Sequence, residues 1–160
     1  MGIRYYAYPL APKFVPFALK DPRPFAGDDP FGDAWMTTDD ERPEMLYLDK
    51  CWGPLQGLTL GEDGEPRVSH RLFEGNVTLM DGGCTWLPYV KALSPQDVDE
   101  VARDLAKIGT PDADRLVAKY RDPRCDHEQE RSYILQFLGR AQDFTAEMLG
   151  RGWGLTYQIG

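Results

Sequence analysis

An α/β domain, or its α+β variant, is the fold class this sequence predicts, and three observations carry the prediction. Residues 3–8 and 153–159 alternate in the manner of strands, a well-signalled helix opens at Ser94, and a long apolar stripe at helical spacing runs between Asp126 and Leu149. Strands towards both ends with helices between them favour one mixed sheet that includes both terminal strands and is flanked by helices. With 160 residues and 42% hydrophobic content, a single domain over 1–160 is expected to bury about 70% of its unfolded surface.

The elements follow in order. Ile3, Tyr5 and Ala7 alternate with Arg4, Tyr6 and Tyr8 as a first strand, which Pro9 and Pro12 should interrupt. Lys13 to Leu19 suits a short helix. Residues 21–43 are rich in Pro, Gly and Asp, and are long for a structureless loop. One helical turn is expected within them, with Phe25, Phe31 and Trp35 pinning the segment to the body. Leu46 to Asp49 reads as a strand end turning into a helix at Trp52, with Leu55 and Leu58 at three-residue steps and Asp49 as its cap. Val68–Phe73 and Val77–Met80 fit short strands or one irregular excursion; Asp81-Gly82-Gly83 breaks the chain, and Thr85–Ala92 is extended. Ser94-Pro95-Gln96-Asp97 places a capping hydroxyl, a proline at the first helical position and an acid at the third, ahead of a stripe of Val98, Val101, Ala102 and Leu105. Gly109 is expected to cap that helix, Thr110-Pro111 to open a second that Asp122-Pro123 stops, and Gly150 to close the third. The third turns Ile134, Phe137, Leu138, Ala141, Thr145 and Met148 inward. Trp153, Leu155, Tyr157 and Ile159 then alternate along a closing strand.

Composition excludes several functions. A net charge of −8 and a pI near 4.7 oppose nucleic-acid binding, which needs cations to neutralise phosphates. The same charge opposes an anionic membrane surface, and no apolar run has the length of a membrane helix. A basic protein is the charge-compatible partner. The first twenty residues lack a signal-peptide pattern, and Cys51, Cys84 and Cys125, odd in number and far apart, suit reduced thiols in a cytoplasm.

Leu48-Asp49-Lys50-x-Trp52 with Leu55 and Leu58, Met1-Gly2-Ile3 at the start, and Ala92-Leu93-Ser94-Pro95 opening the Val98 helix together resemble the YfbM-like family, bacterial proteins whose domain has no assigned function. The resemblance extends over the chain and implies a single-domain, cytoplasmic α/β protein. It implies no catalytic residues and no cofactor. Residues 21–43 depart from the family's usual start.

The residues themselves leave two function classes open. The first is a binding protein that uses an acidic, aromatic-bearing surface, with Asp28, Asp29, Asp33, Trp35, Tyr47, Asp49 and Lys50 as candidate contacts. Asp outnumbers Glu 17 to 9, and short carboxylates beside rings suit contacts with Lys and Arg. The second is an enzyme acting on a small molecule through a cleft near Asp49, Lys50 and Cys84. No metal site is expected: Cys125 and His127 form one ligand pair without a second, and the Asp28–Asp33 cluster lacks calcium-loop spacing. No glycine pattern suits a phosphate.

Overall fold

The structure, a computed structural model, describes residues 2–36, 38, 40–120 and 126–160, with Asp81 as backbone alone. Two strands from opposite ends of the sequence form its centre. Strand β1 (Tyr5–Leu10) pairs along its whole length with β6 (Gly154–Ile159); β2 (Leu46–Asp49) lies outside β1 and β5 (Tyr89–Leu93) outside β6, giving the order β2-β1-β6-β5. Every pairing is antiparallel, so of the two expected variants the chain takes α+β.

Pro9 lies inside β1, opposite Leu155, and does not interrupt it. Arg4 and Gly160 exchange both backbone bonds at 2.9 Å, and in an antiparallel ladder such exchanges recur at every second residue. Tyr6, Tyr8 and Leu10 therefore bond towards β6, while Tyr5, Ala7 and Pro9 turn their backbones towards β2. β2 stops pairing at Ala7, so the nitrogen of Pro9 faces no strand.

Both faces of the sheet are covered, which is why β1 is buried at nearly every residue. On one face Tyr5, Ala7, Leu155, Tyr157 and Ile159 pack with helices α4 (Pro95–Leu105) and α6 (His127–Arg151), around Val98, Val101, Leu105, Ile134, Leu138 and Met148. On the other, residues 12–36 form a layer containing α1 (Val15–Ala18) and α2 (Pro30–Trp35). Here Leu10, Val15, Ala18 and Ala92 make a second small core with Phe25 against it. Phe25 pins this segment as expected, and Trp35 ties it to β2 through its indole N–H on Tyr47, although the Phe31 and Trp35 rings stay exposed.

Helix α3 (Trp52–Leu58) and α5 (Thr110–Lys119) complete the main layer. The Ser94 capping box forms as read: Ser94 Oγ accepts from the Asp97 backbone at 3.2 Å, and Asp97 accepts from the Ser94 backbone at 3.0 Å. Two expected helix ends are corrected. Gly109 precedes α5 as its N-cap, and Asp112 accepts its N–H at 2.9 Å. Gly150 lies inside α6, which ends at Gly152, whose φ of +66° supplies the left-handed turn a helix end favours. The Asp122-Pro123 stop lies outside the described residues.

Val68–Leu72 is a 3-10 turn, not a strand. Tyr5 donates to Leu72 O at 2.9 Å and Tyr157 to Arg71 O at 3.0 Å, so two stacked core rings hold it from below. Asp104 of α4 holds it from the side, accepting from Ser69 Oγ at 2.6 Å and pairing with Arg67 at 2.8 Å; the Arg67 guanidinium keeps this carboxyl well below the usual range. Strands β3 (Thr78–Met80) and β4 (Thr85–Leu87) form a separate hairpin, turned by Gly82 and Gly83 at positive φ.

Candidate functional site

At the sheet edge, β2 carries one residue more than β1 opposite it: Tyr6 faces Tyr47 and Tyr5 faces Asp49, leaving Leu48 as a bulge. Asp49 closes the bulge with φ +47°, the one left-handed non-glycine residue among those described. Lys50 and Cys51 then turn the chain into α3. Asp49 is not the cap of that helix. Cys51 occupies the N-cap position without a side-chain bond, because Asp49 lies two residues too early and its left-handed backbone sends the carboxylate elsewhere.

That carboxylate is the centre of a polar brace. Its Oδ1 accepts from Tyr47 OH at 2.9 Å and Arg4 Nε at 3.1 Å, and its Oδ2 from Tyr133 OH of α6 at 3.4 Å. The Tyr47 hydroxyl also accepts from Trp35 Nε1 at 3.0 Å and from Arg4 Nε at 3.1 Å, so its donor and both lone pairs are engaged. Rings complete the arrangement. Trp35 stands edge-on to Tyr47 with centroids 5.9 Å apart, Phe31 stacks on Trp35 at 6.4 Å, and the Arg4 guanidinium lies 5.5 Å from the Phe31 ring. Burial pushes Tyr6 and Tyr133 up to about 12, with Tyr47 adding to the first and Asp49 to the second. Both hydroxyls are therefore neutral near pH 7, and that of Tyr133 donates to Asp49.

The structure brings Trp35, Tyr47 and Asp49 together. The three loop acids have separate roles. Asp29 caps α2, accepting from Gly32 N at 3.0 Å; Asp33 accepts from Tyr8 OH at 2.8 Å, tying α2 to β1; Asp28 is exposed. Lys50 is exposed, its stem passing over Gly2. Cys84 sits in the turn of the β3–β4 hairpin, on a different sheet from Asp49. Trp52 is half-buried against the core and donates to Ile3 O at 3.3 Å. His127 lines a separate cleft of about 450 Å³ with Asp114, Val117 and Arg131; its sequence neighbour Cys125 lies outside the described residues. Among the described residues no cluster of His, Cys, Asp and Glu is placed to hold a metal ion, and no helix is long and apolar enough to cross a membrane.

Sequence reasoning missed Arg4 and Tyr133. Tyr133 was findable, one turn before Phe137 on the inner stripe and packed edge-on to it at 4.8 Å. Arg4 gave no signal, since its partners stand 43 and 45 residues away. Beside the brace, a cleft of about 350 Å³ opens between Ala34, Tyr47 and the α6 residues Arg140, Asp143 and Phe144. What stays exposed above the brace is apolar: Trp35 is 57% and Met36 79% accessible.

No protein-family model and no curated protein matches the sequence. Among solved structures, the crystal structure of YfbM from Escherichia coli, a protein of unknown function, matches 99% of this chain and 100% of its own, with a TM-score of 0.59 and 17% identity. The fold is YfbM-like. A YfbM-like backbone supports the resemblance read from the Leu48-to-Trp52 corner and the Ala92-to-Pro95 helix start. At that identity the likeness concerns the backbone, and the roles of Arg4, Trp35, Tyr47 and Asp49 rest on their own geometry.

Proposed function

We propose that this chain is a binding protein whose contact surface is the Phe31–Trp35 face of α2, with Met36 at the helix end, and its acidic surroundings. The observation that carries the reading is the state of Trp35. Its ring is more than half exposed, yet its indole N–H is fixed on Tyr47, which is fixed in turn by Asp49 and Arg4. An exposed apolar ring held in one orientation loses little freedom on contact, and interface energy concentrates in such rings. Residues 28–44 carry seven carboxylates against one arginine, so the fitting partner is a cationic protein segment with an apolar anchor, and a nucleic acid is the wrong one. Three scattered cysteines fit a reducing cytoplasm, where we place this single domain.

Calorimetric titration with short Lys- and Arg-rich peptides, each bearing one large apolar residue, tests the reading. Binding should weaken with salt and be lost in Trp35→Ala; equal binding to parent and variant would refute it. A second reading, an enzyme acting on a small molecule at Asp49, is favoured by the left-handed backbone there, because such strain gathers at functional sites. Turnover of a small molecule that Asp49→Asn abolishes without lowering the melting temperature would select it.

A further inference from the structure

Residues 12–20 carry a surface of opposite character to the acidic one. α1 buries Val15 and Ala18 against Leu10 and Ala92. The spacing that sends those two inward sends Phe14, Phe17 and Leu19 outward, and Phe17 is 63% and Leu19 54% accessible. Lys13 and Lys20 stand at the two ends of this apolar trio, and the Lys13 ammonium lies 4.9 Å from the Phe14 ring. Most arginines are engaged by the chain's own carboxylates, as at Arg4, Arg67, Arg71, Arg115 and Arg151, whereas among the described lysines only Lys91 is. Lys13 and Lys20, both exposed, are in no such pair among the described residues.

One chain thus carries two matching features. Phe14, Phe17 and Leu19 are framed by Lys13 and Lys20; Phe31, Trp35 and Met36 are framed by Asp28 before them and Asp40 and Glu41 after them. Both rise from the layer that covers the Tyr8–Leu10 face of the sheet, since Phe25 packs with Val15 and Ala18 while Asp33 holds Tyr8. Like charges face each other in any contact between two acidic trios, and opposite charges face each other when the acidic trio of one molecule meets the basic trio of another. We propose that the occupant of the acidic surface is a second copy of this chain. The Lys13–Lys20 segment of one copy docks on the Phe31–Trp35–Met36 face of the other, and the reciprocal contact closes a two-fold pair. This rests on the contact surface proposed above and names what covers it.

A net charge of −8 per copy opposes association at long range. The pairing is therefore favoured where salt screens distant charges beyond about 10 Å, near 0.1 M, while close pairs persist. Charge exchange on exposed side chains tests the pairing without disturbing the core. Sedimentation velocity near 0.1 M salt should show concentration-dependent dimers of the parent. Lys13→Glu with Lys20→Glu, and separately Asp28→Lys with Asp40→Lys, should each weaken association by about tenfold or more, and an equimolar mixture of the two variants should recover it. The second variant has a smaller net charge than the parent, so general repulsion alone predicts tighter association and a docked cationic segment predicts weaker. Association of the Asp28→Lys, Asp40→Lys variant as tight as the parent's would overturn the proposal. So would a parent that stays monomeric at every concentration. In that case Trp35-dependent binding of cationic peptides would leave the contact surface standing with a different partner, and its absence would remove both.

Discussion

Replacing Asp49 separates two effects that its side chain and backbone combine. The carboxylate holds Tyr47 and Arg4 at 2.9 and 3.1 Å, and the Arg4 side chain is 18% exposed. Asp49→Ala removes these bonds and leaves a largely covered guanidinium without its carboxylate. Hydrogen bonds to charged groups contribute about 1.5–3 kcal/mol, and partial solvent access to the pair favours the lower end. A loss of about 2 kcal/mol is expected for alanine. The backbone adds a separate effect, because a left-handed residue with a Cβ carries about 1–2 kcal/mol of strain. Asp49→Gly loses the same bonds but relieves that strain, against about 0.5–1 kcal/mol of additional chain entropy. Glycine should therefore be more stable than alanine here by about 0.5–1 kcal/mol, the reverse of their usual order inside regular elements. Asp49→Asn, which tolerates left-handed backbone and keeps an acceptor, should lie closest to the parent. Urea melts compared at constant m give the ranking. An alanine variant as stable as the glycine variant would refute the strain argument, and four indistinguishable proteins would show that the brace contributes nothing to stability.

The two described thiols should differ sharply. Cys51 is fully buried, and burial, with Asp49 adding to it, pushes its thiol up to about 12, whereas Cys84 is exposed. In a Cys125→Ser background, a thiol reagent such as dithionitrobenzoate should consume one equivalent in the folded protein and two after denaturation; two at the outset would contradict the burial of Cys51. His70 gives a pH prediction: burial lowers its imidazole below the ordinary value, outweighing nearby Glu74. On acidification the unfolded chain therefore takes up this proton first, so the stability is present above about pH 6.5 and lost as pH falls through the folded value. The drop in melting temperature between about pH 7.5 and about pH 5.5 should be smaller in His70→Gln than in the parent, and equal drops would count against it.

Much of the architecture was legible because its signals are local. Ser94 and Asp97 find each other three residues apart, so the sequence alone places that helix start. Alternation over 153–159 likewise exposes β6, whose polar members Thr156 and Gln158 sit on the face opposite Leu155 and Tyr157. Glycine was a poorer guide. Gly109 and Gly150 look like helix ends by residue type, but whether a glycine ends one helix, opens the next or lies within a turn depends on backbone angles that packing sets. Pro9 misled for a related reason: a proline ends a strand only where its nitrogen faces a neighbour, and the length of β2 decides that. The brace was half visible. Trp35, Tyr47 and Asp49 were candidates from composition and position, but their convergence on one hydroxyl with Arg4 is a long-range contact. The role read for Asp49 failed because a two-residue turn separates it from α3.

The placement of β1 beside β6 bears on the order in which the molecule assembles. The two central strands are the first and last elements of the fold, so joining them closes a loop of roughly 140 residues, a slow, late event whose entropic cost must be met before the contact contributes. During synthesis, β1 can pair only with β2 until Gly154–Ile159 emerges. The α4–α6 layer, by contrast, can begin to pack on local contacts alone. A chain cut before Gly154 would therefore lose its middle strand, leaving β5 severed from β1 and β2, and the exposed flank of β1 would be an open template for a neighbouring chain.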